Sequence, residues 1–215
     1  MSNKNYRLLF FLLVTMLGTS LGSSAQTTLG RVALGAFVPT GDDADVAETG
    51  LALQLTADVQ ISGKIGVEAE LNWIPINLDS ANRPVGRLIE ARQIGAVAGF
   101  RLMSQALSET DSKPAAYVSA RVGFSRIAVK SDTTTSVPGW IGRTLDQTQN
   151  LPPFSFPTRS TENAFVISPR AGFLLRPSPK AIIDISVAPA FLFDGGSVSR
   201  QIVATIGFGM LGRLD

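Results

Sequence analysis

The sequence predicts an all-β protein: a closed, antiparallel, eight-stranded up-and-down barrel that spans a membrane. Three observations predict it. Past Gln26 the chain alternates apolar with polar or small residues in eight runs, and period two is the signature of a strand. Hydrophobic residues make up 45% of the 215 residues and charged residues only 17%, against roughly a quarter charged in an ordinary soluble domain. No apolar run reaches the ~20 residues that a membrane-spanning helix needs. A chain this apolar must therefore bury a large core or face lipid as a closed barrel.

The first 25 residues read as an export signal. Lys4 and Arg7 supply a positive start, Leu8 to Leu17 an apolar core, and Gly18 to Ala25 a small, polar exit. Cleavage after Ala25 divides the chain into a signal (1–25) and a barrel domain (26–215). It removes two of the 19 basic residues and none of the 17 acidic ones, so the remaining chain is formally neutral. The pI of 9.2 then gives no argument for a nucleic-acid partner. Cysteine is absent, which excludes disulfides, thiolate chemistry and a lipid anchor on cysteine.

The eight runs cover about 29–38, 50–59, 63–75, 89–102, 115–129, 163–176, 180–193 and 200–213. In the second, Leu51, Leu53, Leu55, Ala57 and Val59 oppose Ala52, Gln54, Thr56 and Asp58. The third sets Ile65, Val67, Ala69, Leu71 and Trp73 against Lys64, Gly66, Glu68, Glu70 and Asn72. Several runs are longer than the usual soluble strand of about 5–6 residues and match the ~9–11 of a tilted transmembrane strand.

The connections alternate in length. Those at 40–48, 77–87 and 131–162 are long, while Ser62–Gly63 and Pro177–Pro179 are tight. Long loops thus collect at one end, as in membrane barrels. Two connections depart from the pattern: 104–113 is long where a turn is expected, and 194–198 is short where a loop is expected. Pro169 and Pro189 fall inside strands six and seven. Proline cannot donate to a ladder, so each is expected at a bulge or near a strand end.

The large aromatics share one face. Trp73, Phe124, Phe165, Phe191 and Phe193 fall near the loop end, and Phe100, Phe173 and Phe208 near the turn end. Phe165 and Phe173 are eight residues apart on one strand, which at ~3.3 Å per residue and a tilt of ~40° spans roughly the height of an apolar band between aromatic girdles.

A soluble lipocalin-like barrel would alternate too, with the faces reversed. The polar face decides between them. Only five lysines occur, one of them in the signal, too few for a solvated surface. Glycines at 66, 95, 99, 123, 172, 207 and 209 instead mix with isolated charges, which suits a narrow, side-chain-filled interior. The inward charges are Arg31, Asp58, Lys64, Glu68, Glu70, Arg101, Arg121, Arg170, Arg176 and Asp184. Buried charges must be paired. An ion-pair network is therefore expected, with Glu68, Glu70 and Asp184 facing some of Arg31, Arg101, Arg121 and Arg170.

The export signal, the eight runs, the loop asymmetry and the final amphipathic run Gln201 to Leu214 together make the chain resemble the small outer-membrane β-barrel family typified by OmpA and OmpX, over roughly residues 27–213. The resemblance implies the outer membrane of a Gram-negative bacterium, with lipid and the outer-membrane assembly machinery as partners. It also implies a role in envelope integrity, surface interaction or minor permeability. That family usually ends in an aromatic residue, whereas this chain ends Arg213–Leu214–Asp215.

Other motifs carry less. Gly207, Gly209 and Gly212 spell GxGxxG, but only three residues follow, too few for the helix and acid of a dinucleotide site. The chain holds no histidine, which excludes serine–histidine triads and histidine metal sites. Glu68 and Glu70 lie two apart on one face and could do acid–base work, but neutralisation by arginine is the simpler role. Asp42, Asp43 and Asp45 lack the spacing of a calcium loop. The longest connection, 131–162, holds Trp140, Phe154 and Phe156 among prolines, and exposed aromatics on a long loop suit recognition of a surface ligand. The expectation is a non-catalytic barrel without cofactor or metal, with a structural or surface-interaction role. A narrow pore or small-ligand transporter is the alternative, and a soluble lipocalin-like binder the second.

Overall fold

The computed structural model describes residues 26–41, 44, 47–76, 88–108, 110, 112–131, 158–194 and 197–214. The expected signal (1–25), the acidic trio of the first loop and the aromatics of the longest connection lie outside the described residues.

Eight strands follow in order: β1 (Gln26–Thr40), β2 (Gly50–Ser62), β3 (Ile65–Ile76), β4 (Leu88–Met103), β5 (Ala115–Ser131), β6 (Thr158–Leu175), β7 (Ala181–Asp194) and β8 (Ser197–Leu214). Each pairs antiparallel with its neighbour in sequence, and β1 pairs with β8 from Gln26↔Leu214 to Thr40↔Arg200. The sheet is therefore a closed barrel, the only β form that leaves no edge unpaired in hydrocarbon. Among the described residues, no helix is long and apolar enough to cross a membrane.

The faces alternate as the period requires. Leu51 (70% exposed), Met210 (68%) and Phe100 (67%) point outward, with Val32, Leu55, Ile94 and Ile206. Arg31, Glu68, Arg101 and Arg121 point inward and are at most 2% exposed. Among the described residues the large apolar side chains of the outer face are exposed, and the ionic groups lie inside, midway along the axis. A lipocalin-like barrel has the opposite polarity, so the soluble alternative is overturned.

Glycine sets the approach of β4 to β5. A methyl group at Gly99 would lie 1.9 Å from the Ala120 carbonyl oxygen, and one at Gly123 would lie 2.0 Å from that of Ala96. Only a residue without Cβ lets these strands coil so closely around a narrow interior.

Three elements differ from the sequence reading. β6 begins at Thr158, five residues earlier than expected, so the longest connection is 132–157. Lys64 is not an inward charge: it sits exposed in the β2–β3 turn beside Gly63 (φ 42°), and its carbonyl accepts from the Met103 N–H. Positive φ at Gly63 ends the strand before period two reaches Lys64.

The prolines are the third difference, for they sit neither at a bulge nor at a strand end. β6 and β7 pair through Phe165↔Phe193 to Ile167↔Phe191, and again from Ala171↔Val187 to Leu175↔Ile183. The register is the same on both sides of the gap. Pro169 and Pro189 thus face each other across one rung, and the two missing donors fall in a single break.

Candidate functional site in the lumen

The interior is built in layers along the axis. At the loop end Phe37, Ile74, Ile76, Ile127, Val129 and Leu192 form an apolar plug, joined by Ala47 from the first loop. At the turn end Leu29, Met103, Leu174, Ile182 and Leu211 form another. Leu107 completes this second plug. It comes from the β4–β5 connection, which folds back into the barrel mouth, and that accounts for its unexpected length. Arg176 fastens the fold-back through the carbonyls of Ser108 and Pro179. It is buried at the turn end and serves the connection there.

Between the plugs lies the ionic layer. Eight of the ten charges expected to point inward meet there, and Lys64 and Arg176 do not. Arg31 Nη2 lies 2.8 Å from Asp58 and 3.3 Å from Glu68, while Nη1 lies 2.5 Å from Asp184. Arg101 reaches Asp58 at 3.0 Å. The Asp58 contacts are close, but they are not aligned as hydrogen bonds. Glu70 Oε2 accepts from Arg121 at 2.7 Å and from Arg170 at 2.8 Å. Arg121 also lies 3.6 Å from Glu68. Four guanidinium groups thus meet four carboxylates, and the layer is formally neutral.

Neutral groups complete it. Tyr117 donates to Asp184 at 2.9 Å, and its ring lies under Arg31 and Arg101, 5.6 and 5.8 Å from centroid to guanidinium carbon. Ser119 donates to Glu68 at 2.6 Å, and Arg170 donates to Gln54 and Ser186. The sequence reading passed over Tyr117 because aromatics were assigned to the lipid face. Its alternation with Ser119 and Arg121 was the available signal.

A small polar cavity of about 20 Å³ lies between the ionic layer and the loop-end plug. Its lining includes Gln93, Ser125, Ser168, Ala188 and Ala190. Among the described residues no group of His, Cys, Asp or Glu could hold a metal ion. Glu70 Oε2 accepts from two arginines at once, and Glu68 lies against Arg31 and Arg121 and accepts from Ser119.

On the outer face Phe124, Phe165 and Phe193 form one row across β5, β6 and β7. Phe124 and Phe165 meet edge to face at 5.8 Å, and Phe165 and Phe193 lie 6.3 Å apart. Trp73 lies outward near the loop end, with Phe191 half-buried at the same end. Phe100, Phe173 and Phe208 are well exposed toward the turn end.

Closed antiparallel wall, apolar exterior and filled ionic interior define an eight-stranded β-barrel of the outer-membrane type. The chain matches no family model and no curated protein sequence. Solved structures share the fold at low sequence identity. Ail, the attachment invasion locus protein of Yersinia pestis, is 12% identical and covers 88% of this chain and 99% of its own, with a TM-score of 0.52. Neisserial surface protein A is 13% identical and covers 87% and 99%, with a TM-score of 0.51. This is the architecture of the small OmpA- and OmpX-like barrels.

Proposed function

We propose that this protein is a non-catalytic, non-conducting barrel of the Gram-negative outer membrane, exported by its first 25 residues, with a structural and surface-interaction role in the envelope. The observation that carries this is the filled lumen: a neutral ion-pair layer lies between two apolar plugs. Among the described residues such a stack opposes the passage of water and solutes, and the exposed Leu, Phe and Met all round the outer wall suit contact with lipid. Phe, Trp and lipid make the outer contacts, and the assembly machinery inserts the barrel. The aromatic residues at the two ends serve as girdles. Surface recognition belongs to the connection 132–157, whose sequence carries Trp140, Phe154 and Phe156.

Planar bilayers test the seal. Purified protein inserts without channel events, and steady single-channel conductance would restore the pore. Fractionation with the outer membrane and a heat-dependent gel shift test the location, and detergent-independent solubility would sink it. Deleting Val137 to Pro157 leaves the heat-dependent shift intact and abolishes surface binding.

A further inference from the structure

Pro169 and Pro189 occupy one rung of the β6–β7 ladder, where neither side can donate an N–H. The ladders on their other sides continue unbroken, through Ala120↔Pro169 on β5 and Pro189↔Ile202 on β8. The deficit therefore falls on one seam. It lies midway between Phe165 and Phe173, near the centre of the apolar band, where lipid offers no hydrogen bond. On the lumen side of the break, Ser168, Ala188 and Ala190 form one wall of the polar cavity. Two alanines leave little between cavity and seam. Gln93 Oε1 and Ser125 Oγ, on side chains 1% and 2% exposed, line the same space and have no hydrogen-bond partner. The cavity is large enough for one water, which occupies ~10–15 Å³ on this measure. A cation is disfavoured, because Arg121 lines the space and Glu70 is already neutralised by two guanidinium groups.

We propose that this cavity is a water-binding site whose occupant serves Gln93, Ser125 and the proline carbonyls of the β6–β7 seam, and that this seam is where the barrel wall opens first. The inference concerns the wall and holds whether or not the lumen conducts. By period two, the amides of Ile167, Ala171, Val187 and Phe191 face the seam that the prolines face.

Amide-resolved hydrogen exchange and water–protein magnetisation transfer, both by NMR in detergent micelles, test it. The four seam amides exchange at least about tenfold faster than β5–β6 amides at the same height, and a long-lived water shows cross-peaks to Ser125 and the Gln93 side-chain amide. The P169V/P189V double variant restores the rung and slows the same amides about tenfold. Equal protection of the two seams in the wild-type protein, or no water cross-peak, overturns the proposal. The wild-type measurements decide it even if the double variant does not fold.

Discussion

Strand β6 is held differently on its two sides. Toward β5 every residue from Ala115 to Ser131 has a partner in one register. Toward β7 the ladder breaks across three rungs at the paired prolines. Side chains compensate on the weak side. Arg170 Nε donates to Ser186 of β7 at 3.0 Å, just beyond the break, and Phe165 touches Phe193 just above it. The lesson is that a barrel wall need not be uniform. Where the backbone cannot close a seam, the lumen network and the outer aromatics can bridge it.

Glu70→Leu puts the most strain on that comparison. It strands Arg121 and Arg170, which leaves buried charge uncompensated, and costs about 3–5 kcal/mol. Urea unfolding in micelles measures the loss, and faster exchange appears first at β6–β7, where no backbone rung shares the load. A cost under about 1 kcal/mol would show that the network does not hold the wall. Gly123→Val acts on the tight β4–β5 pair. Its side chain meets the Ala96 carbonyl and forces the strands apart, at about 1–3 kcal/mol or failure to fold. A neutral result in the same assay would mean that the close approach is dispensable. Phe165→Ala removes both aromatic contacts, one on each side of β6, for about 1 kcal/mol. Its heat-dependent gel shift moves to lower temperature, and a double-mutant cycle with Phe193 gives the share belonging to the weak seam. Lys64→Ala lies in an exposed turn far from both seams and changes stability by at most about 0.5 kcal/mol. A larger drop would return Lys64 to the lumen.

Strand number, facing and the ionic residues were legible because period two is strong in the middle of each run. It fades at the ends, where both faces are apolar, as at Phe37–Val38, Leu174–Leu175 and Ile182–Ile183. The inner plugs were hidden for that reason, since either apolar neighbour could be the inward one. Lys64 was misplaced because a turn glycine interrupts the alternation. Each proline was visible alone, but their pairing depends on register. Residues 169 and 189 are symmetric about Pro179, one residue beyond the middle of the Pro177–Pro179 turn, so the turn's position alone would have paired Pro169 with Val187 instead.

The eight network charges are spread over seven strands, β1 to β7, and Arg31 meets Asp184 153 residues further along the chain. β8 adds no ion to that set: its Gly209 lies opposite Arg31 in the ladder, where a Cβ would crowd the Arg31 side chain. The β1–β2 hairpin can pair Arg31 with Asp58 on its own, but Glu70, Arg121, Arg170 and Asp184 meet their partners only across distant strands. A half-built sheet would carry naked guanidinium and carboxylate groups, which hydrocarbon rejects. Curling must precede burial, and the last strand to dock delivers the backbone that seals the cylinder around charges already matched.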